Sequence, residues 1–424
     1  MPLTRRIAIT LFEDQLVRTY FAGAQNCLIR EISGNEGAFI FTSKELRDLV
    51  KKNVTELNMT NVEVCVFNKT TGGLLYRFLS FLLRWSLQSG SVYVSIRRSS
   101  KTKYIPRKIV NSFFYYFPAG KELTRAFFRL SLSLRTLQNA FEISTNQLNE
   151  IESIFVTSLT NLYEDVSVAI YFSRKGKKVV GTVRSWDNLT SHGALHFVPE
   201  EFLEHSAWIR HAALEFQGLN ENLCRSWDSP SHQVRFLQSS ACPKTISQTR
   251  TIKVLYASMG LETNPDDLNM INWLCKAWET TPKEFELTIL QHPKFSIEPE
   301  FLTEGVSIVK LSYSDSNLSD YYSFLQSHDL VFGGGTTVIL DASFAQIPVA
   351  LTKFEIIQQN YWDSHLRYFD YLDHSKLLFE LGKYSVVESQ TELINFILAR
   401  KYRKADAASN YFFSHLRRPY SLTK

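Results

Sequence analysis

Short apolar runs alternate with amphipathic stretches from Ile7 onward. Ile7–Phe12, Ala38–Phe41 and Val62–Phe67 have strand length and are rich in β-branched and aromatic residues, whereas Asp14–Glu31 and Lys44–Lys52 carry helical spacing. Alternation of this kind predicts a parallel sheet flanked by helices. Further strands are expected at Val166–Phe172 and Lys178–Val183, beyond a helix-rich stretch. Ser239–Thr251 is polar, contains Pro243 and lacks an apolar period, so it reads as a linker. The pattern then restarts, with strands at Ile252–Ala257, Phe285–Leu290, Val306–Val309 and Leu330–Phe332 and helices at Pro265–Thr280, Asn317–Gln326 and Thr391–Lys401. The expectation is an α/β protein of two Rossmann-like domains facing across a cleft, residues 1–240 and 252–404, followed by a tail, 405–424. Loops at the carboxyl ends of the strands should line that cleft, which is the expected ligand site.

An apolar content of 44% over 424 residues excludes a disordered chain and gives ample material for two cores. The five cysteines, Cys27, Cys65, Cys224, Cys242 and Cys275, are odd in number and form no CxxC pair. That argues against a disulfide framework or a zinc site and suits a reducing compartment. MPLTRRIAITLFEDQ is too short in its apolar part for a signal peptide and reads as a first strand.

The net charge of +5 conceals one strongly basic region. Between Thr71 and Phe141 there are twelve Lys or Arg against a single acid, Glu122, so the rest of the chain is acidic. Within it, LLYRFLSFLLRWSL sets Arg77, Ser80 and Arg84 as one polar stripe on an apolar helix. In KELTRAFFRLSLSLRTL, Leu123, Phe127, Leu130, Leu134 and Leu137 share a face and Arg125 and Arg129 another, and FFYYF, Phe113–Phe117, lies between the two helices. Arginines interrupt each apolar run well short of the ~20 residues needed to span a bilayer. Two readings stay open: ordinary core packing with a solvated basic face, or an interfacial helical insertion against anionic headgroups. No DNA or RNA motif accompanies the charge, so nucleic acid is not an expected partner.

The stretch DLVFGGGTTVILDASFAQIPVAL, Asp329 to Leu351, sets three glycines between a strand and a helix. Gly333–Gly335 permit positive φ and close backbone approach, and Thr336 or Thr337 suits the N-cap. Such a turn aims unpaired N–H groups and the positive end of a helix dipole outward, a seat for phosphate. A tight strand-to-helix turn without a ligand uses the same residues. No Lys follows in the frame of a P-loop.

Three motifs in order, KVLYAS (Lys253–Ser258), QHPKFS (Gln291–Ser296) and the glycine-rich turn, resemble the donor-binding half of a GT-B glycosyltransferase. The resemblance runs from Ile252 to Lys401 and is strongest to bacterial surface-polysaccharide and CDP-glycerol glycerophosphotransferase-like enzymes. It implies that Gly335, Thr336 and Thr337 hold the donor diphosphate beside Ser258, that Asp341 faces the ribose, and that His292 approaches the leaving phosphate with Lys294 nearby. AQIPVA departs from the family's pattern, with Gln346 and Ile347 where Gly often precedes the proline.

In the first domain, SWDNLTSHG (Ser185–Gly193) should follow a strand and present Trp186, Asp187, Asn188, Thr190 and Ser191 to the cleft. Related transferases place the residue that activates the acceptor in this region, where the glycerophosphotransferase relatives have a WHG sequence. Asp187 is therefore the expected general base and, with His292, the catalytic pair. An Asx residue that caps the next turn is the other reading of Asp187 and Asn188. Glu13 and Asp14, after the first strand, are alternative acceptor-side acids. Asp266 and Asp267 follow Pro265 and read as first-turn helix acids.

Together these features imply a metal-independent, cofactor-free transferase with a nucleotide-sugar donor as substrate. It would serve surface-polysaccharide biosynthesis at the cell envelope as a cytoplasmic protein, peripheral on the inner face of the cytoplasmic membrane through residues 71–141. Its acceptor would be a glycan or a lipid-linked saccharide. A CDP-glycerol-type glycerophosphotransferase, a sugar-nucleotide epimerase of the same fold and a non-catalytic membrane-binding scaffold are the rival readings.

Overall fold

The computed structural model describes residues 6–21, 27–33, 37–69, 73–98, 105–116, 121–160, 163–227, 251–281, 285–292, 305–310, 318–345, 347–382, 384–400 and 402. They divide into two units, the first holding 6–93 and 105–227, the second 94–98 and 251–402.

In the first unit the apolar runs form β1 (Arg6–Leu11), β2 (Ala38–Thr42), β3 (Val62–Val66), β4 (Ile151–Val156), β5 (Lys178–Gly181), β6 (Glu201–Glu204) and β7 (Cys224–Ser226). All pair in parallel, in the order β3-β2-β1-β4-β5-β6-β7, with Ile9 facing Ile40 on one side and Phe155 on the other. Both faces are covered, which is why these strands read as unbroken apolar runs. The helices are α1 (Asp14–Phe21), α2 (Leu28–Ser33), α3 (Arg47–Glu56), α4 (Leu74–Trp85), α5 (Gly90–Arg97), α6 (Ile105–Tyr116), α7 (Lys121–Ser131), α8 (Leu134–Gln138), α9 (Thr145–Glu150), α10 (Tyr163–Arg174), α11 (Asn188–Ser191) and α12 (Ala207–Glu215); α5 runs on into the second unit at Val94.

Two expectations are corrected here. Val166–Phe172 is the body of α10 and not a strand, and the strand of that region is β4. Every residue from Asp165 to Phe172 is buried, so the helix has no polar face and its β-branched run carries no readable period. The single helix expected over Asp14–Glu31 is two, α1 and α2, with 22–26 outside the described residues.

The second unit repeats the plan with β8 (Ile252–Ala257), β9 (Phe285–Leu290), β10 (Ser307–Val309), β11 (Leu330–Gly333), β12 (Val349–Thr352) and β13 (Ser385–Val387). They form a parallel sheet in the order β10-β9-β8-β11-β12-β13, with Tyr256 facing Ile289 and Phe332. Its helices are α13 (Asp267–Thr280), α14 (Leu318–Gln326), α15 (Thr337–Phe344), α16 (Arg367–Asp370), α17 (Asp373–Gly382) and α18 (Gln390–Ala399). Most of the expected linker, the tail 405–424, Lys294 and Cys242 lie outside the described residues; the other four cysteines are buried free thiols.

Candidate functional site

Where the strand order of a parallel sheet reverses, the loops leaving the two central strands go to opposite faces and open a crevice at the carboxyl edge. In the second unit the reversal falls between β8 and β11. The loop after β8 is Ser258–Gly260, and the loop after β11 is the glycine turn.

That turn is packed tightly on one side. A methyl group on Gly333 would stand 2.8 Å from the Ala257 carbonyl oxygen, and one on Gly334 would stand 2.5 Å from the Met259 sulfur and 2.9 Å from His365 Cδ2. Gly335 has φ +99°, and a methyl group there would meet the Phe379 ring at 2.7 Å. Close packing demands glycine at Gly333 and Gly334, and at Gly335 backbone conformation demands it as well. Thr336 is the N-cap of α15 in extended geometry, but its hydroxyl makes no capping bond. The first helical bond here is Ile339 N to Thr336 O at 3.0 Å, so the earlier amides of α15 have no acceptor in the helix. Gly335, Thr336 and the exposed Thr337 form this helix mouth. Asp341 is buried one turn further on, its Oδ2 accepting from the Tyr321 hydroxyl at 2.9 Å.

Ser258 is buried and gives its hydroxyl proton to Asp267 Oδ2 at 2.5 Å. The same carboxylate accepts from the Tyr256 hydroxyl at 2.5 Å and from Gly260 N at 3.0 Å. Asp267 therefore shapes the loop after β8, and Ser258 serves that loop rather than standing open to a donor. Asp266 does the same for a second loop, accepting from Ile356 N at 2.5 Å and Ile357 N at 3.0 Å. His292, half-buried after β9, lies against Gly260, which has φ +77° and on which a methyl group would stand 3.1 Å from the ring carbon Cγ.

Two side chains at this edge escaped the sequence reading. His365 is buried beneath Gly334 with Nε2 3.0 Å from the Thr352 carbonyl. A carbonyl only accepts, so Nε2 carries the proton and Nδ1 offers a lone pair with no hydrogen-bond partner among the described residues. Burial holds its pKa below the ordinary histidine value despite the Thr352 carbonyl, so the ring is neutral at pH 7. Arg367, also buried, donates to the Ser364 carbonyl of its own segment and, at 3.0 Å, to the Thr263 carbonyl, three residues past the loop after β8. Gln291 Nε2 and Thr336 Oγ1 are likewise buried and lack a hydrogen-bond partner among the described residues. Three such atoms at this edge are hydrogen-bonding groups that a ligand could satisfy. Gln291 sits inside QHPKFS and could have been picked out; nothing in DSHLRY distinguishes His365.

In the first unit the reversal lies between β1 and β4. Glu13, after β1, is ion-paired with Arg184, after β5, and Asp14 with Arg18 one turn along α1. Asp187 is the N-cap residue of α11, yet its side chain does not cap; Oδ2 accepts from Ser191 Oγ at 3.0 Å. Contrary to expectation, Trp186, Asn188 and Thr190 turn into the unit. Trp186 and Asn188 are buried, the Trp186 carbonyl accepting from Trp208 Nε1 at 2.7 Å and Asn188 Oδ1 from Ser185 N at 3.0 Å. Thr190 is buried and donates to the Asp187 carbonyl at 3.1 Å. The short helix α11 packs Asn188, Leu189 and Thr190 into the unit, with Trp186 just before it, where an extended loop would have presented them. His192, missed in the sequence, shares the neighbourhood: burial lowers its pKa, the Asp187 charge opposes that, and Arg184 and Arg84 add to the lowering.

No protein-family model matches the sequence, and no curated protein matches it. Among solved structures, a complex of S. aureus MnaA with UDP matches with a TM-score of 0.51 at 8% identity, over 97% of this chain and 94% of that one. UDP-GlcNAc 2-epimerase from Neisseria meningitidis bound to UDP-GlcNAc matches with a TM-score of 0.50 at 8% identity, over 96% of each chain. The glycosyltransferase of kitacinnamycin matches with a TM-score of 0.46 at 11% identity, over 98% of this chain and 94% of that one. The chain has the two-unit α/β architecture of the GT-B fold.

Proposed function

We propose that this protein is a glycosyltransferase that moves a sugar from a nucleotide-activated donor to a glycan or lipid-linked acceptor in surface-polysaccharide synthesis, working at the inner face of the cytoplasmic membrane. The observation that carries the reading is the helix mouth of α15 at the strand-order reversal, where Gly335, Thr336 and Thr337 offer amides to a diphosphate. In the reaction the bond from the anomeric carbon to the diphosphate oxygen breaks, and the acceptor hydroxyl oxygen bonds to that carbon. The nucleoside diphosphate leaves with the electron pair, its added charge met by the amides and by His292. Asp187 takes the acceptor's proton, with Ser191 orienting the carboxylate. Lys294 and Asp341 complete the donor contacts, and Glu13 and Asp14 the acceptor side.

A second reading has one specific support. The N. meningitidis structure named above is a UDP-GlcNAc 2-epimerase bound to UDP-GlcNAc. Epimerisation of a nucleotide sugar at carbon 2 therefore stands beside transfer as a chemistry for this fold, and UDP-sugars are the donors to try first.

One experiment tests both. Purified protein is incubated with UDP-GlcNAc and a panel of other nucleotide sugars, and products are followed by NMR. Slow release of UDP with an unaltered sugar supports the transferase, and release or accumulation of the carbon-2 epimer supports the second reading. The absence of turnover with every nucleotide sugar, joined to the absence of calorimetric heat with UDP, CDP, GDP and dTDP, removes both. Glycerophosphate transfer from CDP-glycerol is checked in the same panel, and His292→Ala and Asp187→Ala separate an enzyme from a scaffold of this fold.

A further inference from the structure

Helix α7 turns its cations inward and most of its large apolar side chains outward. Its cations at Lys121, Arg125 and Arg129, four residues apart, turn toward the body of the first unit, where Lys121 Nζ donates to the Phe216 carbonyl at 3.1 Å and Arg129 to Ser173 Oγ at 2.9 Å. Arg125 is buried, donating to the Leu195 carbonyl at 2.8 Å, the Gln217 carbonyl at 3.2 Å and Glu122 at 2.6 Å. Of its large apolar residues Leu123, Phe127 and Leu130 face outward, Leu130 with 68% of its surface exposed, while Phe128 is buried beside Arg125. A solvated helix arranges these two sets the other way round.

Its neighbours repeat the theme. Helix α4 packs on both α6 and α7, through Phe81 against Phe114 and Tyr76 against Phe128. It buries Tyr76, Leu79 and Leu83 and leaves Leu74, Leu75 and Phe78 outside, Leu74 at 86% exposure. Helix α6 exposes Ile109, Phe113 and Tyr116. At roughly 100° per residue, the exposed apolar residues of α6 and of α7 each fall within an arc of about 60°. Among the described residues, three adjoining helices thus carry nine exposed large apolar side chains, far more than singly scattered surface residues would give.

We infer that the outward faces of α4, α6 and α7 form a membrane-docking surface that lies in the headgroup and acyl boundary of an anionic bilayer. This deepens the membrane placement proposed above. The exposed cations Arg77 and Arg84 run along one edge of the apolar arc of α4, where lipid phosphates would meet them. A second copy of the chain is the poorer occupant, because the exposed cations Arg77 and Arg84 bordering the apolar arc match lipid phosphates, whereas a second copy would present the same cations in return. Among the described residues no helix is long and apolar enough to cross a membrane, so the helices lie along the surface.

The test is vesicle co-sedimentation of the full chain without nucleotide, so its outcome is independent of any transferase or epimerase activity. Vesicles of phosphatidylcholine with 30% phosphatidylglycerol are compared with phosphatidylcholine alone. The wild type should partition onto the anionic vesicles, and Leu123→Ser/Phe127→Ser/Leu130→Ser should lower that partitioning at least tenfold with an unchanged circular dichroism spectrum. Arg77→Glu should reduce the preference for anionic over neutral vesicles. The proposal is overturned if the wild type stays in the supernatant at millimolar lipid, or if the triple variant binds as well as the wild type. It is also overturned if sedimentation equilibrium shows a dimer that the triple variant dissociates and that vesicles do not compete away.

Discussion

His365 lies flush beneath Gly334, close enough that a methyl group on the glycine would stand 2.9 Å from Cδ2. The ring is anchored by Nε2, which donates to the Thr352 carbonyl at 3.0 Å. Gly334→Ala should therefore push the turn outward and cost about 1–3 kcal/mol of stability by overpacking. Urea unfolding would read that cost, and titration calorimetry with UDP should show binding weakened at least tenfold. Unchanged UDP affinity in a folded Gly334→Ala protein would detach the turn from nucleotide binding.

Ser258 and Asp267 make a contrasting pair. Removing the carboxylate in Asp267→Ala strands the Tyr256 and Ser258 hydroxyls and the Gly260 amide, at a cost of about 3 kcal/mol. Ser258→Ala should cost about 1 kcal/mol and change UDP affinity less than threefold, since its proton is already committed. A large loss of affinity in Ser258→Ala without a change in melting temperature would restore Ser258 as a direct ligand contact.

Asp165 is sealed among apolar residues on α10, and burial raises its pKa well above the ordinary carboxylate value, with the Thr10 hydroxyl opposing the shift. A raised acid pKa means the folded state holds the proton longer than the unfolded one. The stability this contributes is complete below the unfolded pKa near 4 and is lost as pH rises toward the folded value. Asp165→Asn keeps an acceptor for Thr10 and removes the charge, so it should raise the melting temperature at pH 8 and leave it unchanged at pH 4. A lower melting temperature at pH 8 would contradict this account.

His196 works in the opposite sense. Burial, with Arg125 and Arg84 adding to it, brings its pKa down to about 4, and Ser80 Oγ sits 2.8 Å from Nε2. The unfolded chain takes up the proton first as pH falls, so stability is complete above pH ~6.5 and declines toward pH 4, by about 2 kcal/mol between pH 7.5 and 5. Denaturant unfolding of wild type and His196→Gln across that range should give converging stabilities at low pH. Parallel curves would exclude His196 as the source.

The second unit was largely legible because its sheet is buried on both faces and its strands are short apolar runs cut by glycine, proline and polar turns. Phe285–Leu290 coincides with β9, and Leu330–Phe332 falls within β11. The first unit misled at Val166–Phe172, where complete burial of a helix removes the polar face that periodicity depends on. The basic segment was legible as helical but not in its division: residues 113–116 of FFYYF, read as lying between two helices, are the end of α6, KELTRAFFRLSLSLRTL splits into α7 and α8 with Leu137 buried, and the sequence did not show which way the helices face. Direction depends on what the cations can reach, and for Arg125 that means carbonyls at residues 195 and 217, remote in sequence. The same limit hid His365, whose place under Gly334 depends on a contact between distant segments, and it reversed the expected exposure of Trp186.

The adjacent acids Asp266 and Asp267 anchor two separate loops from one helix start. The rim around the glycine turn is thereby set before any ligand arrives, so little ordering entropy remains to be lost on association. A lesion at either position would masquerade as altered substrate preference in a genetic screen, although neither carboxylate need ever touch the molecule being selected.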